Sequence, residues 1–174
     1  MARVILPHEF QFCPKCGRQL ASRAIVDGVP RLSCQCGFVL FENPTPVIAA
    51  LVEHPDGVLL VRGKGFPQGW YGLVTGFVES CEHPEQAVLR EVHEELGLSG
   101  RVAAFIGHYI FEPRNQLVIA YHVLANGPIM LGDELEAVKA VPHHELKPSS
   151  LAPTLNDGEW PFGAGQAICD WLNR

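Results

Sequence analysis

Between Gly76 and Leu98 the sequence reads GFVESCEHPEQAVLREVHEELGL, and within it Arg90-Glu91-Val92-His93-Glu94-Glu95 sets one basic and three acidic residues in six positions. On a helix, at about 100° per residue, Glu91 and Glu95 lie about 40° apart, with Glu94 about 60° to the other side of Glu91. Three carboxylates therefore share one face. Val88, Leu89, Val92 and Leu96 cluster about a third of a turn away and form the stripe such a helix buries. Arg90 stands at i,i+4 spacing from Glu94, so it can hold that carboxylate and offset part of the like-charge repulsion. The remaining repulsion invites divalent cations, and hard oxygen ligands suit Mg²⁺ or Mn²⁺. Taken alone, Glu-x-x-Glu-Glu is also what a solvated acidic face looks like. Its surroundings argue otherwise: Pro84 suits a first helical turn, Gly97 suits the position just past the last, and Gly76 opens the preceding loop.

A chain of 174 residues with 47% apolar content is expected to hold one main domain and a small appendage. Its net charge of -6 argues against a general nucleic-acid binder. No apolar run reaches the length of a membrane span, and Met1 to Phe10 has no signal-peptide core, so the expected location is the cytoplasm. Four of the six cysteines form short pairs, Cys13-Pro14-Lys15-Cys16-Gly17 and Cys34-Gln35-Cys36-Gly37, which reads as metal binding in a reducing compartment. Each pair ends in glycine, which allows a tight turn, and four thiolates satisfy tetrahedral Zn²⁺. The second pair is one residue shorter than the first, so its turn must be tighter. We expect a zinc ribbon over residues 1–42, too short to bury a core of its own and folded around its metal. These residues carry five Lys or Arg against three Asp or Glu. Four thiolates on Zn²⁺ bring that balance near neutral, so the ribbon is expected to be structural rather than a nucleic-acid reader.

Asn43-Pro44-Thr45-Pro46 reads as a stiff junction to a second domain over residues 43–174. Val47 to Glu53 and Val58 to Arg62 read as strands joined through His54-Pro55-Asp56-Gly57. Trp70 to Val74 and Thr75 to Glu79 read as extended segments, Val102 to Phe111 and Leu117 to Leu124 as a strand pair, and Ala164 to Leu172 as a closing helix. Strands on both sides of a central helix imply an α/β fold with a mixed sheet.

Gly76, Glu82, Arg90, Glu91, Glu94, Glu95 and Gly97, with apolar Val92 and Leu98, match every position of Gx5Ex7REUxEExGU, the Nudix box. A chance match of seven fixed residues is on the order of 10⁻⁸ per starting position. The resemblance implies the Nudix α/β/α sandwich and hydrolysis of a nucleoside diphosphate linked to another moiety. It makes Glu91 and Glu95 the main Mg²⁺ (or Mn²⁺) ligands, with Glu94 in support, a backbone carbonyl of Thr75 or Gly76 completing the shell, and Arg90 orienting the carboxylates. The general base is open among Asp133, Glu134 and Glu136, and Glu134 is preferred. Glu82 is expected to shape the loop and helix entrance.

A zinc ribbon directly before such a domain, together with Gly76-Phe77-Val78-Glu79, resembles bacterial NADH pyrophosphatases. That family carries SQPWPFPxS beyond the box, where this chain has HYIFEPRNQ, His108 to Gln116. Only Phe111 keeps an aromatic in the heart of the motif, so dinucleotide specificity is not secured by it. Phe111, Tyr109 and Phe41 are candidates to stack on a base, and Arg114 and Gln116 to contact phosphate or ribose. Trp70 and Trp160-Pro161-Phe162-Gly163 read equally well as packing. The expected substrate is a dinucleotide such as NADH, NAD⁺, FAD or ADP-ribose. The alternatives are an oxidised nucleoside triphosphate, a capped RNA end, or a regulator that senses a nucleotide or binds nucleic acid without turnover. The last should have lost box carboxylates and gained basic surface, and this chain has done neither. The resemblance also implies a homodimer, to which no particular residue points.

Overall fold

The computed structural model describes residues 10–153 and 163–174. The chain divides into two compact units, one running up to Pro44 and including Glu112–Asn115, the other formed by Thr45–Phe111 and Gln116–Arg174.

In the first unit β1 (Ser22–Val26) and β2 (Val29–Ser33) pair antiparallel, with Val26 opposite Val29. Asp27 and Gly28 form the two-residue turn, at φ 50° and 78°. Asp-Gly supplies the two positive φ values that match the twist of a tight hairpin. Among the described residues the buried apolar side chains here are Cys13, Leu20 and Cys34, with Phe10, Cys36, Phe38 and Leu40 packed around them. Glu112–Arg114 forms a single 3-10 turn, after which Asn115 Nδ2 donates to the Glu42 carbonyl at 3.2 Å.

The second unit is built on a six-stranded mixed sheet. Its strands are β3 (Thr45–His54), β4 (Gly57–Gly63), β5 (Val74–Phe77), β6 (Ser99–Phe111), β7 (Gln116–Asn126) and β8 (Leu135–Val141), in the order β6-β7-β3-β4-β8 with β5 also on β3. β3 is central: Val47 to Val52 are buried without interruption, as expected of a strand covered on both faces. It pairs in parallel with β7 from Thr45↔Gln116 to Glu53↔Leu124. Its other edge is shared, because β5 takes the first half (Val47↔Phe77 to Ala50↔Val74) and β4 the second (Val52↔Leu59 to His54↔Gly57).

Helix α1 (Pro84–Leu96) packs Ala87, Val88, Val92 and Leu96 against Ile48, Ala50, Val52, Tyr121 and Val123 on one face of the sheet. Each of the larger side chains contributes about 2 kcal/mol by leaving water. Short α2 (Pro148–Leu151) and α3 (Ala164–Leu172) cover the other face, where Leu151, Ala167 and Ile168 meet Ala49, Leu51, Leu60 and Ala120. The expected α/β/α sandwich with a mixed sheet is thus observed.

Trp70 to Val74 runs as an extended segment that makes one bridge, Gly72 to Val61, with only Val74 in β5. Asp133 and Glu134 lie in the turn before β8, which begins at Leu135 and carries Glu136 alongside β4. Trp160 to Phe162 and residues 1–9 lie outside the described residues. Among the described residues no helix is long and apolar enough to cross a membrane.

Candidate active site

The site lies where β5 passes α1. A Cβ placed on Gly76 would stand 1.9 Å from Glu91 Cδ and 2.0 Å from its Oε1. The Thr75-Gly76 backbone therefore sits directly against the Glu91 carboxyl group, an approach open only to glycine.

Pro84 starts the helix, Gln86 Oε1 accepts the His83 amide at 3.4 Å, and Gly97 ends it with its amide on His93 O. Arg90 is the hub of the carboxylates. Its Nε and Nη2 reach Glu82 Oε1 and Oε2 at 2.9 and 3.0 Å, and its Nη1 reaches Glu91 at 2.8 Å and Glu94 at 3.1 Å. Nη2 also donates to the Phe77 carbonyl at 3.0 Å, tying the end of β5 to the helix. The two-pronged grip of Arg90, helped by the Glu79 amide, holds Glu82 down to about 2. Glu82 thus fixes Arg90 and the loop before the helix. Sequence spacing pointed Arg90 at Glu94 and missed this stronger pairing eight residues back.

Glu91 and Glu95 titrate the opposite way. Burial raises Glu91 against the pull of Arg90. Glu95 is 9% exposed and has no hydrogen-bond or ion-pair partner among the described residues; burial, then Glu91, Glu134 and Glu94, push it up to about 8. Glu134 reaches this cluster through the backbone: Met130 and Gly132 amides bond Leu96 O and Glu95 O, and Lys64 N–H bonds Glu134 O at 2.8 Å. Its charge raises both Glu91 and Glu95. Glu136 instead pairs with Arg62 at 3.3 Å. A cluster of oxygen donors, one of them buried and unpartnered, fits a hard divalent cation better than it fits a bare protein interior.

Two of the proposed substrate contacts, Tyr109 and Phe111, pack on the sheet face opposite α1. Tyr109 is buried in the cluster on the α3 side of the sheet, and its hydroxyl donates to Asp170 at 2.6 Å. Phe111 packs against the same cluster, and Gln116 is buried where β7 begins opposite Thr45. Arg114 and Phe41 belong to the first unit, where Arg31 lies over the Phe41 ring at 5.1 Å.

In that unit Cys13, Cys16, Cys34 and Cys36 are free thiols whose sulfurs all lie within 4.8 Å of one another. Cys13 to Cys36 measures 3.6 Å and Cys16 to Cys34 measures 3.5 Å. Four sulfurs about 2.3 Å from one tetrahedral ion stand about 3.8 Å apart, so the group fits Zn²⁺. The first turn closes with Gly17 N–H on Cys13 O, and the second with Gly37 N–H on Cys34 O, one residue tighter as its shorter spacing demands. A hydrogen bond from the Phe38 backbone is the main influence holding the Cys36 thiol down to about 7.

The NUDIX domain family model matches residues 43–163. The chain belongs to the Nudix family. Among curated proteins it is 29% identical over 143 residues to the NAD-capped RNA hydrolase NudC of Pseudomonas fluorescens, covering 80% of this chain and 51% of that one. It is 34% identical over 113 residues to the protein of the same name from Pseudomonas aeruginosa, covering 64% and 40%. The chain spans about half the length of the curated relatives it matches. Among solved structures, a Nudix hydrolase from Nitrosomonas europaea superposes with a TM-score of 0.71 at 24% identity, over 82% of this chain and 84% of that one. That likeness is one of fold. The E. coli ORF135 protein gives 0.52 at 26% identity, over 64% and 82%.

Proposed function

We propose that this Nudix protein hydrolyses the pyrophosphate bond of a nucleoside diphosphate linked to another moiety, with an NAD-type dinucleotide, free or at an RNA end, as substrate. The observation that carries this reading is the convergence of Glu91, Glu94, Glu95 and Glu134 beside the Thr75-Gly76 backbone, with Arg90 gripping two of them. The names of the curated relatives support the NAD moiety. They also bring an RNA end within the substrates to be tested, although the acidic net charge argued against nucleic acid.

Glu91 and Glu95, supported by Glu94 and a carbonyl of Thr75 or Gly76, would hold Mg²⁺ or Mn²⁺. When bound, the cation neutralises phosphate oxygens and makes a bound water more acidic. Arg90 keeps Glu91 and Glu94 from turning away and offsets part of their charge, while Glu82 holds Arg90 in place. Glu134 is the group we assign to accept the proton of the attacking water at its carboxylate oxygen. Zn²⁺ on the four cysteines is structural, in a first domain of residues 1–42 with the catalytic domain following. Thiolates of this kind persist in a reducing compartment, which supports a cytoplasmic location.

The test is a product-resolved screen with Mg²⁺ over NADH, NAD⁺, FAD, ADP-ribose, NAD-capped RNA and nucleoside triphosphates. AMP released with a second mononucleotide from NADH, or a 5′-monophosphate end from capped RNA, is the expected result. Cleavage of triphosphates alone would replace the dinucleotide reading, and a protein that binds nucleotides without turnover would make it a sensor.

Gly76→Ala should cut this activity at least about 10²-fold, because the added methyl drives the Glu91 carboxyl from its place by an ångström or more. Thermal stability should change little, since the carboxyl end of Glu91 can swing aside. Steady-state kinetics beside a melting curve checks both halves, and full activity in this variant would remove Glu91 from the site.

A further inference from the structure

On the sheet face turned toward α3, β4 and β8 set two cations side by side. Arg62 stands opposite Ala137 and Lys139 opposite Leu60, so Arg62 and Lys139 share a face as diagonal neighbours. Fully buried Leu60 belongs to the α3-side cluster, which fixes the face. Tyr71 packs on the same cluster, and Lys139 Nζ lies 4.0 Å from the centre of its ring.

Neither cation is fully paired among the described residues. Among the described residues Lys139 has no carboxylate within ion-pair distance, and burial holds its ammonium below the usual lysine range. Arg62 gives Nη1 to Glu136 at 3.3 Å, but its Nε, shielded from solvent, has no partner among the described residues. The local balance is one positive charge in excess, on a chain of net charge -6. A half-buried cation facing an aromatic ring and an incompletely bonded guanidinium is a costly way to fill a sheet face, since Leu or Met would pack there without desolvation. An ammonium, a planar donor fork and a ring edge are also what holds a phosphate group beside a nucleoside.

We propose that Arg62 and Lys139, with the Tyr71 ring beside them, form a phosphate-binding site. Its place gives it a use. Arg62 is two residues before Lys64, whose amide bonds the Glu134 carbonyl, so along β4 the pair stands close to the segment that carries Glu134, on the sheet face opposite α1. The phosphate comes either from the half of the substrate remote from the metal ligands, which rests on the function proposed above, or from a separate phosphate-bearing ligand.

The test uses the whole zinc-loaded chain without added Mg²⁺ and inorganic phosphate as probe, followed by ³¹P line broadening and calorimetry. The wild-type chain should bind, and Lys139→Met and Arg62→Gln should each weaken binding about tenfold, the loss of one charge-assisted contact. Glu91→Gln should bind phosphate as the wild type does, so failure of the hydrolysis reading would leave this result standing. Circular dichroism checks folding, and where Lys139→Met does not fold, Arg62→Gln decides. A raised KM for the dinucleotide with kcat kept, in the same variants, identifies the substrate as the source. An unchanged KM with phosphate binding lost identifies a separate ligand. Absence of phosphate binding by the wild-type chain, or equal binding by the folded variants, overturns the proposal.

Discussion

Glu95→Gln should lower turnover about 10²- to 10³-fold and, without divalent cations, make the protein more stable at pH 8 and above. The two effects have one cause. Glu95 is buried without a partner and faces Glu91, Glu134 and Glu94, which together with burial push it up to about 8. An ordinary carboxyl in the unfolded chain ionises near 4.5, so between about pH 4.5 and 8 the unfolded state holds fewer protons at this position than the folded one. Its contribution to stability is therefore fully present below about 4.5 and is lost as pH rises toward 8. Glutamine carries no charge to lose, and the variant should escape this decline, melting at least a few degrees higher than the metal-free wild type at pH 8.5. Near pH 5 the two should melt together. A saturating divalent cation should reverse the order, because it compensates the charge in the wild type and finds a poorer site in the variant. The loss of turnover corresponds to removing one strong interaction from the transition state. Melting curves from pH 5 to 9, with and without Mg²⁺, beside initial rates, decide the matter. Wild-type rates in Glu95→Gln would remove this carboxylate from the metal site.

The sequence and the structure agree most closely where one element carries several independent signals. Helix α1 has an apolar stripe, a proline that starts it and a glycine that stops it, and all were legible before any coordinates. Strands β3 and β4 were legible because unbroken apolar runs have no other place in a covered sheet. β8 was hidden by its own composition: Leu135-Glu136-Ala137-Val138-Lys139 lies at a sheet edge and mixes charges into a short pattern. The face that Tyr109 takes was not legible, for a geometric reason. Side chains alternate across a strand, but β6 shifts register at Val102/Ala104 and again at Phe105/Gly107, so the face a residue takes cannot be counted along the sequence. The approach of Glu134 was half legible. Its charge was visible, whereas the amide bonds from Lys64 and Gly132 that steer its segment have no side-chain signature.

Removing zinc should unfold the first unit while the second keeps its own transition. The argument is one of quantity. Three buried apolar side chains among the described residues, two of them cysteines, and a hairpin of five-residue strands offer little apolar burial against the cost of ordering the backbone, about 1 to 2 kcal/mol per residue. Without a cation the four thiols are held to one another by weak sulfur contacts. A structural Zn²⁺ supplies on the order of 10 kcal/mol of binding free energy at neutral pH, enough to reverse the balance. The second unit has a core on both faces of a six-stranded sheet and draws nothing from the metal. Metal analysis should find about one zinc per chain, and Cys34→Ser, which replaces a buried ligand, should abolish most of it. Limited proteolysis of that variant, or of the chelated wild type, should cut in the stretch before Pro44 and leave a resistant fragment that begins near Thr45. Because thiolates bind the metal and thiols do not, zinc loss should also come earlier as pH falls. Should Cys34→Ser retain zinc and resist proteolysis, the four sulfurs would be a packing cluster, and the fold of this unit would have to rest on its few apolar contacts.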